Sequence, residues 1–324
     1  MNKTLKITVN IFVFVLIAGF GYYMVRSVMP GGGDMLTGEG DAGNSFVSPY
    51  KKINSLKVAS EIACFDIYGN RIYVAQSGGK ISVFDLDGKR QHDFAINADV
   101  RDIVVEEETI YLLYPAGIEV FTVEGKRLAG WPAHRNSADY CSMALSSAYI
   151  FVTDAGNKHI CRYTREGEFL DIILSPNSFV IPSYAFDIVN ILDTLYCCNS
   201  GRHRIESYTL EGKYLGSFGT SGAQAGAFAG CCNPAYLAAT QYGDILTSEK
   251  GNPRISCYGR DGKYRAILLN SKILGGGTDA YKVKTKEDKI LVAARKSLSV
   301  FVYDPELAAA SACAGCPMEC PFNN

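Results

Sequence analysis

The chain has 324 residues, 48% of them hydrophobic and 11% aromatic, with 32 basic against 33 acidic side chains and a formal charge of −1. A near-neutral chain without runs of like charge carries no electrostatic footprint for nucleic acid, and we expect no nucleic-acid partner. The apolar content suits a large buried core and excludes a disordered chain.

Residues 1–26 form the first expected element. Lys3 and Lys6 precede an apolar run from Ile7 to Val25. About 19 residues at 1.5 Å each span a bilayer core, at the short end of the usual range. Tyr22 and Tyr23 stand near the far interface, and positive charge is heavier before the run. This pattern predicts a single-pass anchor with its N-terminus inside and the body on the extracytoplasmic, periplasmic side. A cleaved signal peptide is the alternative reading, with Ala18-Gly19-Phe20-Gly21 as its processing segment. Residues 27–54, rich in Gly, Asp and Glu, read as a flexible linker.

From residue 55 to 304 one pattern recurs: an apolar strand, a turn, a second strand, a small polar loop, a third strand ending in an aromatic, then an acidic-Gly turn. Its copies start at Arg71, Thr109, Tyr149, Thr194, Asp244 and Lys289. The turn glycines Gly88, Gly125, Gly167, Gly212 and Gly262 are separated by 37, 42, 45 and 50 residues. Units of about forty residues with hairpin turns and no helical periodicity predict an all-β, six-bladed β-propeller. Strands such as Ile72–Ala75 are continuously apolar and are expected to be buried on both faces. The segment Ser55–Ile62 precedes the first unit without a blade of its own. It is expected to supply the outer strand of the sixth blade and so remove two free edges.

The repeats resemble the NHL family of six-bladed propellers. The residues that carry the likeness are Gly212–Ala229, Asn233-Pro234 and Gly251–Lys263. Asp154 and Asn157 match the family's Asp and Asn, Glu249 replaces the Asp in the fifth unit, and Gly156, Gly201 and Gly251 align. The resemblance covers residues 55 to 304, is best in the third to fifth units and poor in the second and sixth. It implies the propeller fold. For function it implies a binding platform and, less often, a lyase or hydrolase.

Eleven cysteines are many for a body outside the cytoplasm, and their odd number leaves at least one unpaired. In a four-stranded blade running from axis to rim, Cys141, Cys197, Cys198, Cys231 and Cys232 all approach the face that carries the connections between blades. With Asn233, they define the expected binding face, lined by thiols for redox chemistry or a metal. The competing reading makes Cys161, Cys197 and Cys257 small buried hydrophobes inside strands. The C-terminal tail, residues 305–324, holds Cys313, Cys316 and Cys320 in a C-x2-C-x3-C-P run. It resembles the end of the bacterial ferredoxin pattern with Ala310 at the first cysteine position, so an iron–sulfur cluster or zinc there needs a further ligand. His159 and His203 sit beside basic residues and read as solvated loop side chains. No catalytic motif is present, and no catalytic residue is assigned.

Three functions follow from these readings. The first is a membrane-anchored scaffold that binds a protein partner in the cell envelope. The second is a redox or electron-transfer accessory using the cysteines. The third is a propeller lyase or hydrolase.

Overall fold

A computed structural model of the chain describes residues 46–313. The expected anchor, most of the expected linker, and Cys316 and Cys320 lie outside the described residues. Among the described residues, no helix is long and apolar enough to cross a membrane.

Six antiparallel four-stranded sheets follow one another along the chain. A first strand, β1 (Tyr50–Lys57), precedes them. Blade one is β2 (Ile62–Tyr68), β3 (Arg71–Gln76), β4 (Lys80–Asp85) and β5 (Arg90–Ala95). Blade two is β6 (Asp102–Glu106), β7 (Thr109–Tyr114), β8 (Gly117–Thr122) and β9 (Arg127–Pro132). Blade three is β10 (Tyr140–Leu145), β11 (Tyr149–Asp154), β12 (His159–Thr164) and β13 (Phe169–Ile173). Blade four is β14 (Ile188–Ile191), β15 (Thr194–Asn199), β16 (Arg204–Thr209) and β17 (Tyr214–Phe218). Blade five is β18 (Tyr236–Ala239), β19 (Ile245–Glu249), β20 (Arg254–Tyr258) and β21 (Tyr264–Leu269), followed by the short helix α1 (Ser271–Leu274). Blade six is β22 (Lys282–Lys286), β23 (Lys289–Ala294), β24 (Ser297–Tyr303) and β1. Helix α2 (Pro305–Cys313) follows β24.

The continuous apolar strands are explained by stacking. In β3, Ile72 and Val74 pack against Leu291, Leu298 and Val300 of blade six. The alternate residues Tyr73 and Ala75 pack against Ile103, Val105 and Leu112 of blade two. Each face therefore has its own core, and burying each large apolar side chain is worth about 1.5–3 kcal/mol.

The ring closes through β1, which pairs antiparallel with β24 from Tyr50↔Tyr303 to Lys57↔Ser297. The outer strand of blade six thus starts at Tyr50, inside the segment 27–54 expected to be linker. The reason is physical. An outermost strand buries little, so Lys51, Lys52 and Asn54 are polar, and only Tyr50 and Leu56 are buried. Such a strand has the composition of a tether.

The acidic-Gly turn has a second role beyond its hairpin. Gly125, Gly167, Gly212 and Gly262 all have φ between 76° and 90°. They press respectively on Phe94, Trp131, Ile173 and Phe218, each in the outer strand of the preceding blade. A Cβ at Gly212 would lie 2.7 Å from Ile173, and one at Gly262 would lie 2.6 Å from Phe218. Gly88 meets Asn54 of β1 in the same way, as closure of the ring requires. Gly69 also has positive φ but meets nothing within 4 Å. Gly167→Ala is therefore expected to lower stability by about 2 kcal/mol or more, and Gly69→Ala by about 1 kcal/mol, the cost of the left-handed backbone alone. Urea midpoints of the two variants check this, and equal losses would show that the turn does not pack on the neighbouring blade.

Candidate functional site

The six inner strands enclose an axial pocket of about 330 Å³. Its wall carries charge: Asp66, Asp102 and Asp187 face Lys282 and Lys284, with Cys64, Cys141 and Ser142 among them. Each carboxylate also latches its blade to the next. Asp66 Oδ2 accepts from the Val105 N–H at 2.8 Å, Asp102 Oδ2 from Met143 at 2.9 Å, and Asp187 Oδ2 from Leu237 at 2.6 Å. Lys284 Nζ lies 3.7 Å from Asp66 Oδ1 and joins blade six to blade one.

The proton inventory of the pocket is constrained by one hydroxyl. Ser142 Oγ lies 2.9 Å from Asp102 Oδ2 and 2.5 Å from Asp187 Oδ1. A hydroxyl has a single proton to give, so one of these contacts needs a proton from a carboxyl group. Burial, and then the neighbouring charge of Asp102, push the Asp187 pKa up. Ser142 Oγ can donate to only one of the two carboxylates at a time, and the raised pKa makes Asp187 the acid that gains a proton more readily than an ordinary carboxyl group. Burial opposes the ammonium of Lys284, but Asp66, Asp102 and Asp187 outweigh it and hold Lys284 above the ordinary lysine value. Burial pushes the thiols of Cys64 and Cys141 up to about 12, so both stay protonated.

The mouth of the pocket lies among the connections that enter the inner strands. Lys282 Nζ donates to the Arg101 carbonyl at 3.0 Å and stands 5.2 Å from the centroid of the Tyr236 ring. The Arg101 guanidinium stands 5.6 Å from the Tyr184 ring and 3.7 Å from Asp139. Ser183 and Tyr184 both have left-handed φ, at 56° and 58°, and Tyr184 is 56% exposed. Two successive residues in this region cost of order 1–3 kcal/mol each unless their surroundings hold them.

The cysteines of the expected binding face divide. Cys231 is exposed, and its Sγ lies 2.8 Å from that of buried Cys232, which lies 3.6 Å from Ser183 Oγ. Asn233 is buried and fixes this loop: its side chain bonds the carbonyls of Ala229 and Lys250 and the Lys250 N–H. Burial disfavours the Cys232 thiolate, but hydrogen bonds from Cys231, Ser183 and Lys250 outweigh it and lower the pKa. Cys141 is half-buried at the pocket wall. Cys197 and Cys198 part from the expectation. They lie inside β15, fully buried, with Cys197 in the core shared with blade three and Cys198 in the core shared with blade five. The second strand of a blade, covered on two faces, sends adjacent side chains into opposite cores, so neither thiol reaches the loop face. Cys313 ends α2, and the rest of the tail run lies outside the described residues.

His159 also differs from its reading as a solvated side chain, because it opens β12 and is 3% exposed. The pocket carboxylates were not singled out from sequence. Their signal was present: Asp102-Ile103-Val104 and Asp187-Ile188-Val189 repeat one triplet in one register, opposite Leu113 and Cys198.

No protein-family model and no curated protein sequence matches the chain. Solved structures share its fold. A catalytically inactive His-to-Ala variant of virginiamycin B lyase from Staphylococcus aureus with quinupristin is 13% identical, with a TM-score of 0.56 over 78% of this chain and 99% of that one. A streptogramin B lyase is 14% identical, with a TM-score of 0.57 over 79% and 98%. A protein of unknown function from Bacteroides thetaiotaomicron is 12% identical, with a TM-score of 0.59 over 80% and 75%. At these identities the likeness is one of fold. The chain is an all-β, six-bladed propeller with a charged axial pocket.

Two outcomes are expected. Because its folded-state pKa is raised, the stabilising contribution of Asp187 is fully present below the pKa of an unfolded carboxyl group and is lost as pH rises through the raised value. Asp187→Asn retains a donor for Ser142 and an acceptor for Leu237. Its urea midpoint should match the wild type in acid and exceed it increasingly toward neutral pH, whereas a variant that falls behind as pH rises would show that the Asp187 pKa is not raised by folding. Brief alkylation of the native protein, read by mass spectrometry, should modify Cys231 first among the eight cysteines of the propeller, and Cys197 and Cys198 only after unfolding.

Proposed function

We propose that the chain is a non-catalytic binding propeller of the cell envelope, built from NHL-type blades and held at the membrane by residues 1–26, that receives a protein partner on its loop face. The observation that carries this reading is the mouth of the axial pocket, where Arg101 and Lys282 stand beside exposed Tyr184 and half-buried Tyr236. Two cations set against aromatic rings suit a carboxylate flanked by apolar side chains. The connection into blade four, which ends at this mouth, also leaves Leu174 and Val180 exposed. Exposed aromatic and aliphatic residues around a few charges are what protein interfaces use. The strained backbone at Ser183-Tyr184 supports the same reading, since strain of this kind gathers at binding sites.

Lyase chemistry is the second reading, favoured by the fold likeness and by the raised pKa of Asp187 inside the pocket. It is weaker because the related lyase is described as inactive once a histidine is changed to alanine, whereas none of His92, His134, His159 and His203 lines the pocket here. The redox reading narrows to Cys231 and Cys232, the one pair of thiols in contact on the loop face among the described residues.

A photo-crosslinking residue at Leu174 or Val180 of the full chain, activated in the native envelope, should capture one defined protein. Arg101→Glu with Lys282→Glu should weaken that capture about tenfold or more, because a charge-assisted contact is worth roughly 1.5–3 kcal/mol. No crosslinked species, or one indifferent to the charge reversal, would rule out the protein-binding reading.

A further inference from the structure

The place where β11 hands over to β12 has counterparts in three other blades, and these act as internal controls. The last residue of the second strand faces the first of the third: Gln76↔Lys80 in blade one, Asp154↔His159 in blade three, Asn199↔Arg204 in blade four and Glu249↔Arg254 in blade five. Two residues further on stand Ser82, Cys161, Glu206 and Ser256. In three of these blades the corner is joined directly. Gln76 Nε2 donates to Ser82 Oγ at 2.8 Å, and Asn199 Nδ2 donates to Glu206 Oε1 at 2.9 Å. Arg254 donates twice to Glu249 at 2.8 Å, and Ser256 Oγ donates to Glu249 at 3.3 Å.

Blade three has the same backbone and different chemistry. Asp154, His159 and Cys161 are all buried, and their potential ligand atoms lie within 4.8 Å of one another. His159 Nε2 has no hydrogen-bond partner and stands 3.6 Å from Asp154 Oδ2, beyond hydrogen-bond reach. A buried ring nitrogen without a partner costs about 1–3 kcal/mol, and the neighbouring blades show that this corner tolerates residues that avoid the cost. The remaining oxygen contacts of Asp154 are ordinary: the N–H groups of Asp139 and Asn157 and the Asn157 side-chain amide hold the carboxylate in place. Tyr140 Oη lies 3.8 Å from Cys161 Sγ and fixes the other flank. A separation of 3.6 Å between a carboxylate oxygen and an imidazole nitrogen is close to the ligand-to-ligand spacing around an ion with bonds of about 2 Å.

We propose that Asp154, His159 and Cys161 form a buried site for a single zinc-class divalent ion. One oxygen, one nitrogen and one sulfur ligand suit a borderline ion and discriminate against calcium or magnesium. The thiol loses its proton to solvent when the ion binds, and the sulfur then coordinates as thiolate. Because the three residues are buried, the ion enters as the blade folds, and its fourth position is left to a water molecule. It shares no residue with the tail run Cys313, Cys316 and Cys320.

The test uses the full chain with Cys231, Cys232, Cys313, Cys316 and Cys320 all changed to Ser, refolded with cobalt(II) as a spectroscopic substitute for zinc. The expected result is one bound cobalt per chain with a thiolate-to-cobalt absorption band. His159→Arg with Cys161→Ser rebuilds the corner on the pattern of Arg254 and Ser256. This variant should keep the β circular dichroism of the parent and lose both metal and band. Should it fail to fold, Cys161→Ser alone decides the question, since the band must vanish with the sulfur. A parent that refolds without taking up metal, or a band that survives the loss of Cys161, would overturn the proposal.

Discussion

The structure depends on one constraint: a four-stranded sheet whose middle strands are apolar on both faces has nowhere to put those faces except against another such sheet. Alternate residues of β3 enter different cores, one shared with blade six and one with blade two. Each blade is thus half of two cores, and stacking ends only when the last blade meets the first. The pairing of β1 with β24 fastens that junction with backbone hydrogen bonds, joining a strand that begins at Tyr50 to one that ends at Tyr303. Opening the junction would expose two strand edges and two apolar faces at once, so its contribution exceeds the few side chains that β1 buries.

Closing the ring creates the axial pocket and determines its chemistry. Six inner strands converge on the axis, and their N–H groups on the blade junctions need acceptors. Asp66, Asp102 and Asp187 meet that need, each from the blade before. Three carboxylates in one small cavity repel, and the pocket contains two answers to that repulsion. Lysines from blade six enter it, and the pKa of Asp187 is raised. The same groups that hold the blades together therefore give the pocket its charge, and the cationic groups at its mouth follow from the inward reach of Lys282 and the position of Arg101 just before β6.

How much of this was legible in the sequence follows from which periodicity each feature obeys. The blade count was legible because the glycine of the outer turn answers two demands, a left-handed φ and contact with the preceding blade, and so recurs with every unit. The start of β1 was not, since an edge strand with a single buried face has no continuous apolar run. The cysteines show the same limit. Adjacent cysteines near a strand end look like a loop pair, yet Cys197 and Cys198 point into opposite cores. Cys231 and Cys232, on a connection without strand geometry, do meet. Residue spacing determines direction only where the backbone is regular. The pocket carboxylates were visible as a repeated Asp-Ile-Val triplet, but a charged residue in an apolar strand acquires meaning only when the neighbouring blade's N–H is known to face it.

A repeat protein also carries its own controls, and this gives its irregularities more weight than they would have in a fold without symmetry. The corner between second and third strands is solved by Gln with Ser, by Asn with Glu, and by Glu with Arg and Ser. These solutions share nothing chemically except that every buried polar atom named in them finds a partner within the blade. Blade three alone of the four replaces this with Asp, His and Cys and leaves a ring nitrogen unmatched. Drift within an unconstrained corner would be expected to arrive at another self-satisfied pair, because an unsatisfied buried group is a standing cost in every folded molecule. The exposed, left-handed Tyr184 departs from its surroundings in the same sense, since it sits in strained backbone with its ring largely in solvent. Positions where the repeat abandons a cheaper local solution available to its neighbours are therefore where a bound ligand or partner has to be sought.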